Sequence, residues 1–135
     1  MSHTVTLAEA RTVIAAATAE AEKIGQPMNI AVVCAGGYLL AFERMENAWL
    51  GSVDIAQKKA WTSRAFDIET GTLGTLSQSG DQFFGINASN DGKVMIFAGG
   101  VPLLRDGKVI GAIGVSGGLG AEDQAVAEAG AKTIK

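Results

Sequence analysis

The sequence contains very few of the residue types that build several common kinds of site. Its 135 residues include one cysteine, one histidine and one tyrosine. The single cysteine, Cys34, excludes a disulfide within the chain. The only histidine, His3, lies in a terminal segment that we expect to fray, which argues against a histidine metal site, a Ser-His-Asp triad or a histidine ligand to haem. We therefore predict no metal site.

The charged residues also form no cluster of one sign along the sequence. Charged residues make up 19% of the chain, and the net charge is −3. A nucleic-acid surface or a polybasic membrane anchor needs clustered Lys and Arg, and no such cluster occurs. No apolar run reaches the length of a membrane span, and the first residues lack the pattern of a secretory signal. We therefore expect a cytoplasmic protein that binds neither nucleic acid nor membrane.

Small apolar residues are what the chain has in abundance. The hydrophobic share is 47%, much of it alanine and valine. A chain of 135 residues matches one ordinary domain, which we place at residues 1–135. Because so few residues are charged, some apolar surface should remain exposed, and association of subunits is a common way to cover it. We therefore expect a homo-oligomer.

Periodicity and turn residues predict an alternation of helices and hairpins. Apolar residues at helical spacing after a Thr6–Glu9 capping box predict a helix over 7–24. Asp106-Gly107 is a strong hairpin signal. Because hairpins dominate, the sheet should be antiparallel with helices packed on it, an α+β fold. The other predicted elements are strands over 28–35, 38–44, 94–98, 101–105 and 108–116, helices over 52–66 and 121–133, and a short helix over 72–78 within the long loop 67–92.

Lys59 is the most informative single residue. On the second predicted helix, Ile55, Lys59, Thr62 and Phe66 fall at i, i+4, i+7 and i+11, within one narrow sector that should face inward. A buried ammonium is costly unless it is paired, and such lysines often have a lowered pKa and a chemical role. The alternative is a lysine whose stem packs while its charged end reaches the surface. Lys59 is our candidate catalytic residue.

The first hairpin carries two further candidates. Cys34 lies near the end of the first predicted strand, where its thiolate could bind haem iron, although most strand cysteines are inert packing residues. Tyr38, the only tyrosine, opens the second strand, where it could face solvent or a neighbouring subunit. We regard both as candidate ligand-binding residues.

Three blocks of the sequence resemble the GlcG/HbpS-like family, also known as the haem-degrading domain family. The first is AVVCAGGYLLAFERM over 31–45, and the second is DIAQKKAWT over 54–62. The third runs from AGGVPLL over 98–104 to GAIGVSGG over 111–118. Glu122-Asp123 followed by Val126-Ala127 completes a resemblance that covers nearly the whole chain.

The resemblance implies a profilin-like fold, a five-stranded antiparallel sheet with helices packed on it. It also implies oligomers, from dimers to octamers, and haem as the leading ligand, since members of the family have been linked to haem binding and haem degradation. The residues that match family blocks are Lys59 and Thr62 on the second helix, Thr70 after it, and Gly99, Gly100 and Pro102 in the Gly-Gly-x-Pro block. Together with Phe66 on the Lys59 sector, the residues other than Lys59 are regarded as candidate ligand-binding residues.

Several family positions differ in this chain. Cys34 stands where the family usually has Asp, and Tyr38 stands where it often has His. An acidic pair that one member is proposed to use for iron aligns with Asp54 and Gln57, so one carboxylate remains. Val94 aligns with a threonine proposed as a haem ligand. Haem would therefore need Cys34, Tyr38 or a methionine as its ligand.

Three functional hypotheses follow. The first is a small-ligand-binding protein that takes haem or another tetrapyrrole, or degrades haem. The second is an enzyme that acts on a small anionic or carbonyl metabolite, with Lys59 as acid, base or oxyanion stabiliser and Thr62 and Thr70 orienting the ligand. The third is a non-catalytic oligomeric accessory protein.

Overall fold

The computed structural model describes residues 3–135, which form an antiparallel sheet with helices packed on both of its faces. Four helices and four strands follow one another, with two short 3₁₀ turns, Ile86–Ala88 and Asn90–Gly92, in the long loop. The helices are α1 (Leu7–Ile24), α2 (Ser52–Phe66), α3 (Thr70–Thr75) and α4 (Gly120–Ala131), and the strands are β1 (Asn29–Cys34), β2 (Leu39–Arg44), β3 (Gly100–Arg105) and β4 (Lys108–Ser116).

Helix α1 begins and ends where its capping residues predict. The Thr6 hydroxyl accepts a hydrogen bond from the Glu9 N–H at 3.1 Å, and Glu9 Oε1 accepts one from the Thr6 N–H at 3.0 Å. This reciprocal capping box satisfies two N–H groups that the first turn leaves free. Gly25 ends the helix with φ 82°, a left-handed conformation that costs glycine little.

The sheet has the order β2-β1-β4-β3, and all three neighbouring pairs are antiparallel. This confirms the α+β class and the antiparallel sheet. The predicted number of strands is wrong, since the described residues form four strands and not five. The short helix in the long loop also spans Thr70–Thr75 rather than 72–78.

The missing strand is the segment 94–98, whose backbone is bonded outside any ladder. The Met95 N–H donates to the Thr62 hydroxyl at 2.9 Å, so a side chain of α2 satisfies it. The Ile96 carbonyl oxygen packs against Gly74 of α3, where an added Cβ would lie 2.2 Å from it. A short apolar run is compatible with a buried strand or with other buried segments, and here the contacts with α2 and α3 decide its conformation.

The two faces of the sheet are covered by different helices. On one face, α1 and α4 pack with Ile30, Val32, Ile113 and Val115 into the larger core. On the other face, α2 lies on β4 and β1 through a cluster of small residues. An added Cβ on Gly114 would lie 2.0 Å from the Ala56 carbonyl oxygen, so α2 approaches the sheet very closely. Lys59 projects from this closely packed helix.

Candidate functional site

Lys59 is buried and paired with a carboxylate. Its side chain is 2% exposed, which confirms that this position of α2 faces inward. The ammonium Nζ lies 2.9 Å from Asp123 Oδ2 and donates to the Val115 carbonyl oxygen at 2.8 Å. Lys58, the next residue, instead forms a surface ion pair with Asp54. The charged end of Lys59 therefore does not reach the surface.

Asp123 completes the candidate site, although sequence reasoning named it only as part of a family block. It lies in the first turn of α4, where a carboxylate is favoured by the helix dipole. Its Oδ1 accepts the Gly118 N–H at 2.9 Å, so the loop before α4 and the Lys59 ammonium hold its two oxygens. A buried lysine requires a buried partner of opposite charge, so the sequence indicated that a carboxylate partner exists but not which one it is.

Burial shifts both members of the pair toward their neutral forms. Loss of water lowers the pKa of Lys59 below its ordinary 10.5, and the nearby Asp123 charge opposes that shift. Loss of water likewise raises the pKa of Asp123 above its ordinary 3.8, and Lys59 opposes this shift too. The charged pair and the neutral pair both have zero net charge. Such a pair can hold a proton on either partner without placing a net charge in the core.

The Gly-Gly-x-Pro block provides room for this pair. Gly99 has φ 122°, and an added Cβ there would lie 2.4 Å from the Val115 carbonyl oxygen and 3.0 Å from Lys59 Nζ. The Gly100 N–H donates to the Thr70 hydroxyl at 2.7 Å. The Gly99 N–H donates to Gln124 Oε1 at 3.2 Å. The chain itself therefore satisfies both glycine amides and brings Thr70 to the block.

The other candidate ligand-binding residues outside the hairpin, Thr62, Phe66 and Pro102, do not lie together. Thr62 is fully buried, and its hydroxyl accepts from the Met95 N–H. Phe66 is 41% exposed at the end of α2. Pro102 lies in β3 along a different surface groove with Glu128 and Lys132. Their ligand-binding role stays a prediction, but the structure does not bring Phe66 or Pro102 into contact with Lys59.

A cavity of about 520 Å³ opens beside the Lys59–Asp123 pair. We refer to it as the Lys59 cavity. Its wall is mainly apolar, and its polar side-chain groups are the ion pair, two serine hydroxyls and the Trp49 indole N–H. The lining residues are Trp49, Ser52, Ile55, Lys59, Ile96, Phe97, Ala98, Ser116, Gly118, Gly120 and Asp123.

A buried amide lies next to this cavity. Asn29 is fully buried and donates from Nδ2 to the Trp49 carbonyl oxygen at 2.9 Å. Its Oδ1 has no hydrogen-bond partner among residues 3–135. Asn29 faces Ser116 directly across the β1–β4 pair. An unpaired buried acceptor is costly, and sequence reasoning had not marked this asparagine.

The structure places Cys34 and Tyr38 together, on the hairpin between β1 and β2. A Cβ built on Gly36 would lie 3.1 Å from the Tyr38 ring and 3.7 Å from Cys34 Sγ. Tyr38 is 78% exposed, and Cys34 is half-buried. From residue 3 onward, no group of three or more His, Cys, Asp or Glu side chains is arranged to hold a metal ion.

A groove of about 260 Å³ runs beside this hairpin, between it and α2. We refer to it as the hairpin groove. Val33, Gly37, Leu39 and Trp61 form its apolar part, and Lys93 Nζ lies 4.4 Å from the centre of the Trp61 ring. Asp54, Gln57, Lys58 and Lys93 form its polar rim. The groove therefore offers an apolar floor, the Lys93 ammonium and the Lys58–Asp54 ion pair.

Comparison with known proteins gives a family match along most of the chain. The family model described as "Haem degrading protein HbpS-like" matches residues 5–132. A 15.0 kDa protein from the dhaT-dhaS intergenic region of Citrobacter freundii is 38% identical over 125 residues, 93% of this chain and 88% of that protein. Protein GlcG of Escherichia coli K12 is 38% identical over 107 residues, 79% of this chain and 77% of that protein.

Of three further similar proteins, PduO and PduOC are linked to tetrapyrroles by name. Corrinoid adenosyltransferase PduO of Citrobacter freundii is 38% identical over 113 residues, which are 84% of this chain and 34% of that protein. The crystal structure of a PduOC:haem complex matches with a TM-score of 0.93 and 33% identity, covering 97% of this chain and 95% of that one. Klebsiella pneumoniae protein ORFY matches with a TM-score of 0.95 and 34% identity, covering 98% and 92%.

Proposed function

The chain belongs to the HbpS-like family of haem-degrading proteins, and on that basis we propose that it binds haem or a related tetrapyrrole. The observation that carries the proposal is the similarity of nearly the whole chain to a domain that has been crystallised with haem. The similarity to PduO, named as a corrinoid adenosyltransferase, points to the same class of ligand.

The hairpin groove is where we place the tetrapyrrole. Iron in haem is held by side chains such as a thiolate, a phenolate, an imidazole or a thioether. Neither the Lys59 cavity nor the hairpin groove has such a side chain on its wall, but Cys34 and Tyr38 lie on the hairpin that borders the groove, both close to Gly36. Val33, Leu39 and Trp61 would contact the apolar macrocycle, and Lys93 would pair with one of its carboxylates, since Lys58 is already paired with Asp54. Bound haem would supply the iron chemistry, and these residues would hold and orient it.

The size of the groove limits how haem is held. A volume of about 260 Å³ lies just below the usual range for pockets that enclose a whole ligand. A macrocycle here would keep one edge outside the subunit, next to the exposed Tyr38. The affinity for haem should therefore depend on Tyr38 and on any neighbouring subunit that covers the outer edge of the macrocycle.

Haem titration followed by absorbance tests the proposal. We expect a red-shifted Soret band that saturates near one haem per subunit, and its loss in either Cys34→Ala or Tyr38→Phe. Phe84→Leu is the matched control, because it alters a comparably exposed aromatic ring on the long loop. Absorbance that rises without saturation, or that saturates equally in all variants, would contradict haem binding at the hairpin.

A second candidate function is favoured by the position of Lys59 on a cavity wall. We infer an enzyme that acts on a small anionic or carbonyl metabolite, in which Lys59 exchanges a proton or stabilises a developing oxyanion. Lys59→Met keeps the stem volume and removes the charge. Loss of turnover in a folded Lys59→Met variant is the expected result, and unchanged turnover would exclude this role.

We propose that the protein is a cytoplasmic homo-oligomer. A non-catalytic accessory protein, the third functional hypothesis, would also be an oligomer. The motivation for an oligomer is the number of large apolar side chains left exposed, with Trp49, Leu50 and Leu119 each more than half exposed. In the part of the chain that is described, no helix combines the length and apolarity needed to cross a membrane. Light scattering on the purified protein checks the assembly, and a monomer at micromolar concentration would contradict it.

A further inference from the structure

The Lys59 cavity differs from the hairpin groove in its charge balance. Its volume of about 520 Å³ lies within the range of small-molecule pockets. The only charged side chains on its wall are Lys59 and Asp123, and they neutralise each other at 2.9 Å. The cavity is therefore polar at one place but carries no net charge.

This balance disfavours a charged ligand. Two of the three N–H groups of the Lys59 ammonium are already used by Asp123 and the Val115 carbonyl oxygen. An anion would have to share the ammonium with Asp123, which would leave two negative groups with one positive group in a mainly apolar space. Burying an unmatched charge costs several times more than burying a hydrogen-bonded neutral group.

The wall instead offers groups suited to hydroxyls. The Ser52 and Ser116 hydroxyls can each donate and accept, and Lys59 retains one N–H donor. Each Asp123 oxygen already accepts one hydrogen bond and has capacity for another. Trp49 and Phe97 contribute aromatic surface beside these polar groups. Donors and acceptors that alternate next to aromatic surface match the chemistry of a polyol or a sugar.

We propose that the Lys59 cavity binds an uncharged, polyhydroxylated small molecule, such as a polyol or a monosaccharide, through the Lys59–Asp123 pair and the Ser52 and Ser116 hydroxyls. The inference rests on the second candidate function for its location only. For the ligand of that site it replaces anionic metabolites with neutral, hydroxyl-bearing ones, and it requires no turnover.

Trp49 provides a direct reporter of the cavity. Trp61 is the only other tryptophan, and it lies in the hairpin groove, so Trp61→Phe leaves Trp49 as the single emitter. This variant is titrated with two pairs of probes that differ by a carboxylate, glycerol with glycerate and glucose with glucuronate. Calorimetry on the wild-type protein repeats each titration without the substitution.

The expected result is a saturable change in Trp49 emission with at least one neutral probe, and binding of its anionic counterpart that is at least about tenfold weaker, as expected for an unmatched buried charge. Ser116→Ala should weaken the neutral probe roughly two- to tenfold, the effect of one hydrogen bond. Ser79→Ala, on the exposed part of the long loop, is the matched control and should change nothing.

Two results would overturn the proposal: no saturable change with either neutral probe, or tighter binding of the anionic member of a pair. Its failure is distinguishable from failure of the other proposals. Neutral binding without turnover would remove the enzyme and keep this site. Ser116→Ala should also leave the haem titration unchanged, because Ser116 does not line the hairpin groove.

Discussion

The Lys59 region and the hairpin region place their polar side chains in opposite environments. The Lys59 ammonium is 2% exposed and has a charged partner, whereas the Tyr38 side chain is 78% exposed. A buried ion pair is tied to the fold, since removing one partner leaves an unmatched charge in the core. An exposed phenol can be altered with little effect on folding. Substitutions near Lys59 should therefore act first on stability, and those near Tyr38 on binding.

The largest expected effect is on the ion pair itself. Lys59→Met leaves Asp123 buried without its counter-charge, and Asp123→Leu does the same to Lys59. We expect each single substitution to lower the free energy of unfolding by about 3–5 kcal/mol. Urea denaturation followed by circular dichroism measures this change.

The double variant Lys59→Met/Asp123→Leu is the control for this first prediction. It removes both charges and leaves an apolar pair in their place, so its loss should be much smaller than the sum of the two single losses. Additive losses would show that the two residues act independently, and the comparison between the regions would lose its electrostatic basis.

The next effect tests how closely α2 approaches the sheet beneath Lys59. Gly114→Ala would place a Cβ 2.0 Å from the Ala56 carbonyl oxygen and 2.4 Å from the Ala60 nitrogen. Because backbone atoms cannot move aside cheaply, we expect a loss of about 1–3 kcal/mol or more. Thermal unfolding checks it.

Gly51→Ala is the matched control for the glycine prediction. Gly51 has an ordinary φ of −63°, and an added Cβ there would meet nothing within 4 Å. Its stability should stay within about 0.5 kcal/mol of the wild type, as for most open surface positions. Equal losses at both glycines would mean that chain flexibility, and not the contact with α2, determines the result.

A smaller effect concerns pH. The raised pKa of Asp123 means that the folded state holds more protons than the unfolded state just above pH 3.8, so this group stabilises the fold as pH falls through that window. The lowered pKa of Lys59 means that the unfolded state holds more protons just below pH 10.5, so stability rises with pH there. The pair should therefore be least favourable near neutral pH, where both groups are charged.

Unfolding of the wild type and of the Lys59→Met/Asp123→Leu variant across pH measures this dependence. The stability of the double variant relative to the wild type should be highest near neutral pH and should fall toward either extreme. If the difference in stability between the two proteins stays constant with pH, burial does not shift the pKa values of Lys59 and Asp123.

Much of the fold could be predicted from local signals. The Thr6–Glu9 capping box and Gly25 fixed α1, and Asp106-Gly107 marked the β3–β4 turn, because these effects act within a few residues. The strand predicted over 94–98 was wrong because its conformation depends on Thr62 and Gly74, which are distant in sequence. Local periodicity contains no information about such contacts.

The candidate site shows the same division. Helical spacing was enough to place Lys59 inward, since the sector of a helix follows from the sequence alone. Its partner Asp123 lies 64 positions away in the sequence. The unpaired Asn29 Oδ1 can be recognised only when the positions of Trp49 and Ser116 around it are known. Sequence reasoning found one member of the pair and could not find the other without the topology that joins α2 to α4.

The smallest expected effect on stability is at Tyr38, where we expect an effect on haem binding instead. Tyr38→Phe removes only a hydroxyl from a side chain that is mostly in water, so the free energy of unfolding should change by less than about 0.5 kcal/mol. The same variant should lose or shift the Soret band in the haem titration if the phenol holds the iron. Cys34→Ala distinguishes the two ligands, since only the residue that binds iron should alter the band. Destabilisation by Tyr38→Phe as large as that expected for Lys59→Met would contradict the contrast between a structural buried pair and a hairpin free to bind.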